Sequence, residues 1–342
     1  MRGIHGGDIY GNRVNMDFSV NVNPLGMPAA VAAALQQAVE MCISYPDVEE
    51  RELKKRVGSW LEVPDDCLLF GNGASELFVA IVHAIRPQKT LIPVPSFYGY
   101  EHAAWAVDGE IVYYYLKEQE AYLPDGDFIQ SLPEDVDLLF LANPNNPTGR
   151  LMDREYLLRL LDICRQRGIT VALDECFIEF CGAERSMITE IGEYENLLII
   201  RAFTKIFAIP GVRIGYLLCG NDSLRDKIKR QLPEWNLSVF AQAAGCACAG
   251  QSAFVAETVD YVAGERQFLA DGLGQMGVKV FPGEANFLLV HSEIPLYEEL
   301  LARGILIRDC ENFRGLGRGY YRIAVKSRKD NERLLKVIGE LK

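Results

Sequence analysis

An amide, a carboxylate and an amine each stand in this chain where an extended apolar run gives out. The segment 143–149, Asn-Pro-Asn-Asn-Pro-Thr-Gly, follows a run ending at Ala142. Asp174 closes the run 169–174, and Thr204 and Lys205 come at the end of the run 197–203. In open α/β sheets, ligands bind outside the carboxyl ends of the strands. If these runs are strands of one such sheet, the three groups converge on one edge and form a site. A fourth feature, Gly71-Asn72-Gly73-Ala74-Ser75-Glu76, lies between a short apolar run and a helical pattern. Small residues there let backbone N–H groups close on an anion, and the start of the next helix favours negative charge. Neither the GxGxxG spacing nor a Walker lysine accompanies it, so nicotinamide and ATP lose support as ligands.

The positioning elements follow from pattern. Strands are expected at 67–70, 90–94, 110–116, 137–142, 169–174, 197–203 and 213–219, alternating with helical stretches, which is the signature of an α/β fold. The run 170–173 is apolar throughout, as in a strand covered on both faces. Asp153 is the expected N-cap of a helix over 153–167 whose apolar stripe is Leu157, Leu158, Leu161 and Cys164. After Gln231 the pattern changes to a long helix over 254–276, strands at 278–281, 287–291, 305–309 and 320–325, and a last helix capped by Asp330. The expected organisation is an N-terminal arm, 1–27, a large domain, 28–245, and a small α+β domain, 246–342.

Composition narrows the partners. The 342 residues are 49% apolar and 24% charged, ample for a buried core. A net charge of −12 without a long Lys/Arg run argues against nucleic acid. No apolar run approaches the roughly 20 residues of a membrane helix, and the first residues lack a signal-peptide core. Nine cysteines at irregular spacing include no CxxC, and Cys246 and Cys248 lack partners for a zinc site. Free thiols in a reducing, cytoplasmic setting are expected.

Three motifs in order, NPNNPTG at 143–149, DECFIEF at 174–180 and RAFTKIFAIPGVRIGY at 201–216, resemble the fold-type-I pyridoxal 5′-phosphate (PLP) enzymes of the histidinol-phosphate aminotransferase branch. HGGD at 5–8, DFSVNVNPLGMP at 17–28, YPD at 45–47, ILIRDC at 305–310, YYRIAV at 320–325 and DNERLL at 330–335 are similar to the threonine-phosphate decarboxylase family of cobalamin synthesis. The resemblance implies an α/β fold with a mostly parallel central sheet, helices on both its faces, and a smaller α+β C-terminal domain. It implies PLP held as a Schiff base on Lys205, a residue whose pKa burial would lower, with Asp174 on the pyridine nitrogen. Asn146 is expected at the phenolic oxygen and Phe97 stacked on the ring. Gly73, Ala74, Ser75, Thr204 and Arg213 are expected around the phosphate, the arginine fork suiting that anion. Tyr45 would reach the cofactor phosphate of a neighbouring subunit, which implies a homodimer.

On the substrate side, the resemblance places Arg322 at the carboxylate and Arg308 at a substrate phosphate, with His5, Gly6 and Asn21 as further contacts from a mobile arm. The stretch 308–328 is basic within an acidic protein and suits a phosphorylated amino acid. The expected reaction is decarboxylation of phosphothreonine; the alternative is transamination of histidinol phosphate or an aromatic amino acid with 2-oxoglutarate. Two positions depart from the family pattern. Phe177 replaces a tyrosine whose hydroxyl reaches the phenolic oxygen in many aminotransferases, and Ala202 replaces a hydroxyl donor to the phosphate. The arm between Asp8 and Asp17 is also shorter than in the decarboxylases.

Overall fold

The computed structural model describes residues 5–341; residues 1–4 of the expected arm and residue 342 lie outside the described residues. Thirteen strands run along the described chain: β1 (Met16–Asp17), β2 (Leu68–Gly71), β3 (Lys89–Val94), β4 (Glu110–Tyr115), β5 (Leu138–Ala142), β6 (Thr170–Asp174), β7 (Leu197–Ala202), β8 (Gly215–Cys219), β9 (Lys279–Val280), β10 (Phe287–His291), β11 (Ile305–Leu306), β12 (Arg308–Asp309) and β13 (Tyr320–Ala324). Seven of them form one sheet in the order β2-β8-β7-β6-β5-β3-β4. All its pairings are parallel except the two made by β8, so β8 alone runs against its neighbours. The start of β8 therefore lies on the same edge as the ends of the other strands.

Side chains alternate across a pleated strand, and a sheet covered on both sides must be apolar at every position. In β5, Leu139 and Leu141 enter one core with the helices Ala29–Ala38, Arg51–Leu61, Arg154–Arg167 and Val239–Cys248. Leu138, Phe140 and Ala142 enter the opposite core with Ala74–Ile85, Tyr98–Ala104 and Asp222–Lys229. The α/β class and the helix-flanked sheet are as expected.

The C-terminal strands form a separate four-stranded antiparallel sheet, β12-β13-β10-β9, packed by the helices Ser252–Gln275 and Arg328–Gly339. The N-terminal segment joins this part of the molecule: β1 pairs in parallel with β11, and Met16 and Phe18 share its core. Two expectations need correction. Ser327, not Asp330, caps the last helix, its hydroxyl accepting from Asp330 N–H at 3.3 Å. The expected strand 305–309 is two short strands, because β11 pairs with β1 and β12 with β13. Among the described residues no single helix is long and apolar enough to cross a membrane; Val239–Cys248 and Ser252–Gln275 pass such a test only together and are bent by 77°.

Candidate active site

The carboxyl edge of the large sheet opens into a cavity of ≈ 590 Å³. Of the residues expected there, His5, Gly6, Asn21, Gly73, Ala74, Ser75, Phe97, Asn146, Asp174, Phe177, Thr204, Lys205, Arg213, Arg308 and Arg322 all line it. Tyr45 does not. It stands 81% exposed outside the cavity with its ring 5.0 Å from that of Trp235.

Each floor residue is placed by its own strand end. Lys205 sits in the short helix Phe203–Ile206 directly after β7, and its backbone carbonyl accepts from Asn23 N–H at 3.1 Å. Asn23 is itself buried, its Nδ2 donating to Ile206 O at 2.7 Å and Thr258 Oγ1 at 2.9 Å, so the N-terminal segment braces the lysine. Burial lowers the Lys205 pKa to about 8, with Arg322 and Arg213 adding to the shift. Asp174 ends β6. Burial raises it from the ordinary carboxylate range, against donors that stabilise the charged form.

The three asparagines of 143–149 divide their work. Asn143 Oδ1 accepts from Met152 N–H at 2.7 Å, and Asn145 Nδ2 donates to Pro95 O at 2.9 Å, so both tie the loop down. Asn146 faces the cavity, its Oδ1 accepting from Arg322 Nη1 at 2.5 Å.

The anion cradle comes from two distant segments that the sheet brings together. Gly73 has a positive φ of 78°, and a Cβ on it would stand 2.4 Å from Arg213 Nη2. Only glycine satisfies both demands. The helix Ala74–Ile85 starts at this point with no side-chain cap, leaving its first N–H groups for a ligand. Arg213 reaches the same place because β8 starts there, and a Cβ on Gly215 would be 2.8 Å from Ala74 N.

The opposite wall belongs to the C-terminal sheet. Arg308 and Arg322 stand directly across from each other on β12 and β13, and both are buried. Arg322 donates to Ser19 O at 2.8 Å; its Nε has no hydrogen-bond partner among the described residues, and burial lowers its pKa to about 10. Arg308 donates to Asn312 Oδ1 at 2.8 Å and to Asp309 O. Like charges facing across a strand pair are destabilising unless something between them is negative. Asn21 Oδ1, also buried, has no hydrogen-bond partner among the described residues. His5 lies with its ring 6.1 Å from Phe97, held below its ordinary pKa by burial and then by Arg308.

Several lining residues carried no signal in the sequence. Tyr100 donates to Asp174 Oδ2 at 2.5 Å, and Cys176 N–H donates to Oδ1 at 2.8 Å. Glu101 takes an ion pair from Arg314 at 2.5 Å and a hydrogen bond from Tyr113 at the outer wall. Arg314 is distant in sequence from Glu101 and Tyr113 and meets them only in the fold. Phe177 presents no hydroxyl and packs edge-on against Phe287 at 5.1 Å.

PLP is a phosphorylated pyridine aldehyde, and these donors fit it. The cradle suits its phosphate, the depressed lysine its aldehyde, and the buried carboxylate a cationic ring nitrogen. Fold and cavity together define a fold-type-I PLP-dependent enzyme. The family model for aminotransferase class I and II matches residues 13–338, and the chain belongs to that family. It is 35% identical over 324 residues to the threonine-phosphate decarboxylase of Salmonella typhimurium, covering 94% of this chain and 89% of that protein. Among solved structures, the histidinol-phosphate aminotransferase from Clostridium acetobutylicum superposes with a TM-score of 0.90 at 35% identity, covering 95% of this chain and 98% of the other. L-threonine-O-3-phosphate decarboxylase from Porphyromonas gingivalis gives 0.84 at 26%, covering 95% and 99%.

Proposed function

We propose that the chain is a PLP-dependent decarboxylase of an O-phosphorylated amino acid, with phosphothreonine the preferred substrate and an aminopropanol phosphate the product. The observation that carries this reading is the Arg308–Arg322 pair, two buried guanidinium groups facing each other across β12 and β13 in the cavity that holds Lys205 and Asp174. A substrate bearing both a carboxylate and a phosphate matches the pair, and each charge-assisted contact would be strong in so dry a place. The similarity to the Salmonella and Porphyromonas decarboxylases supports the same choice.

In this reading Gly73, Ala74, Ser75, Thr204 and Arg213 hold the cofactor phosphate, Asn146 meets the phenolic oxygen, and Phe97 covers the ring. Asp174 holds the ring nitrogen cationic. Bound there, the cofactor supplies an electron sink for the bond that breaks at Cα. Lys205, with its lowered pKa, anchors the aldehyde and afterwards carries protons to and from the substrate. Arg322 takes the substrate carboxylate, and Arg308 with His5, Gly6 and Asn21 takes its phosphate. Together they decide which substrate bond stands perpendicular to the ring. Phe177, lacking a hydroxyl, leaves the phenolic oxygen with one donor fewer than in many aminotransferases.

The working unit in this proposal is a cytoplasmic homodimer built from an arm (1–27), a large domain (28–245) and a small domain (246–342). Support comes from Val39, Met41, Ile43, Tyr45 and Trp235, large apolar side chains exposed on this chain. Such a patch suits a second copy, to whose cofactor Tyr45 would reach.

Purified holoenzyme incubated with phosphothreonine should release carbon dioxide and the amino alcohol phosphate. No release with the cofactor intact retires this substrate. A second reading, transamination of histidinol phosphate or an aromatic amino acid with 2-oxoglutarate, is favoured by the similarity to the Clostridium aminotransferase. Stoichiometric conversion of the cofactor to pyridoxamine phosphate by an amino donor, seen by absorbance, would select it.

A further inference from the structure

Tyr100 is buried in the helix Tyr98–Ala104 and stands behind Asp174. Its hydroxyl donates to Oδ2 at 2.5 Å while Cys176 N–H donates to Oδ1 at 2.8 Å, and the Cys176 thiol adds a further hydrogen bond to the carboxylate. The phenol ring is locked by three others. It stacks on Phe140 at 5.2 Å and 8°, and meets Phe78 and Phe97 edge-on at 5.1 and 5.7 Å. Moving the hydroxyl away from Asp174 would disturb this whole aromatic group.

We propose that Tyr100 is a positioning residue for the reaction, fixing the plane of the Asp174 carboxylate and keeping it ionised so that the ring nitrogen of bound PLP retains its proton. The inference rests on the PLP reading of the cavity and goes beyond it. A carboxylate this deeply buried is driven toward the neutral acid, which could not hold a cationic ring. Hydrogen bonds to the charged form oppose that drive, and Tyr100 supplies the side-chain donor to Oδ2. Burial and the neighbouring carboxylate push the phenol well above its ordinary pKa, so the shared proton stays on the tyrosine. The other titratable groups around Asp174 are Glu175 and Cys176 on its own segment, Glu179 beyond them and Lys205 across the cavity. The carboxylates among them oppose ionisation of Asp174, whereas the Cys176 thiol favours it alongside the phenol.

The test uses PLP-loaded protein. Tyr100→Phe removes one atom and leaves the ring packing in place. The pH midpoint of the cofactor's absorbance should move upward by about one unit, because a less charged Asp174 lets the ring withdraw fewer electrons. The ¹⁵N signal of labelled cofactor should move toward the unprotonated ring nitrogen, and kcat should fall about tenfold with KM little changed. Tyr100→3-fluorotyrosine, a stronger donor of nearly the same shape, should move the absorbance midpoint the opposite way. A Tyr100→Phe enzyme that titrates with the parent overturns the proposal. If that variant does not fold, a fluorotyrosine variant with an unmoved midpoint overturns it instead. Parent protein that takes up no PLP would sink the reading of the cavity itself, a separate result.

Discussion

Two buried cationic regions in this molecule keep different company. Arg201, on β7, is matched: its guanidinium bonds Glu175 at 2.9 Å and sits 3.8 Å from Glu179, both buried carboxylates. Arg322, on β13, faces Arg308, and among the described residues its hydrogen bonds go to an amide oxygen and a carbonyl, with the Asp17 charge acting on it without a hydrogen bond. Desolvating a charge is expensive, and an internal counter-ion offsets much of that cost. The first arrangement has its counter-ions within the fold. In the second, Arg322 has no carboxylate bonded to it among the described residues, and under the proposed function the substrate carboxylate would take that place.

The sharpest break of the comparison is at the amine between the two regions. Lys205→Ala should lower turnover of phosphothreonine about 10³-fold or more while the protein stays folded. Borohydride-fixed cofactor mass, present on the parent at Lys205, should be missing from the variant. Next in size, Arg201→Met should cost about 3 to 5 kcal/mol of stability by denaturant unfolding, since it strands Glu175 and Glu179. Arg322→Met should do the reverse to the cofactor-free chain, leaving its stability equal or higher. The same change should cut kcat/KM about 10²-fold, with most of the loss tracking the substrate carboxylate. Equal destabilisation by both substitutions would erase the distinction between the regions.

The pH behaviour sharpens it further. The folded pKa of Lys205 lies near 8 against an ordinary 10.5, so the unfolded chain binds more protons between these values. Stability of the cofactor-free protein should therefore rise with pH across that window and level off above it. Below that window, as pH rises toward 8, the folded protein's neutral amine gains ground, so the rate of PLP uptake should climb about tenfold per pH unit below 8 and then flatten. An uptake midpoint near 10.5 would mean that the lysine is not desolvated. The smallest effect belongs to the outer wall. Arg314→Ala breaks a half-exposed ion pair with Glu101 and should cost no more than about 1 kcal/mol on thermal unfolding.

The floor of the cavity was legible because its chemistry is local. Asn146, Asp174, Lys205 and the Gly73–Ser75 turn each follow a run of apolar residues, and a parallel sheet puts all such ends on one edge. Arg213 was readable only through its motif; its place is explained by the reversal of β8, which no periodicity in 213–219 announces. Tyr100 lies in a short helix whose sequence does not single out its hydroxyl, and its bond reaches from the segment after β3 to the end of β6. Glu101 and Arg314 meet across the two sheets. Ser327 was within reach: a serine three positions before an aspartate is a capping pattern, and the aspartate was given the role instead. The split of 305–309 could not be read locally, because it depends on the N-terminal segment arriving to pair with β11.

Strand β2 has a single neighbour in its sheet, and that neighbour is β8. A nascent chain that has emerged only as far as β7 can already assemble a parallel core from β4 to β7, yet β2 has nothing to dock against. The glycine turn that follows β2 is left without an address until β8 wedges in between. On the proposed assignment of the glycine turn, completion of the sheet and creation of the phosphate seat would be one late, long-range folding event. Any lesion that slows the capture of β8 would release chains that are largely structured and unable to retain their cofactor.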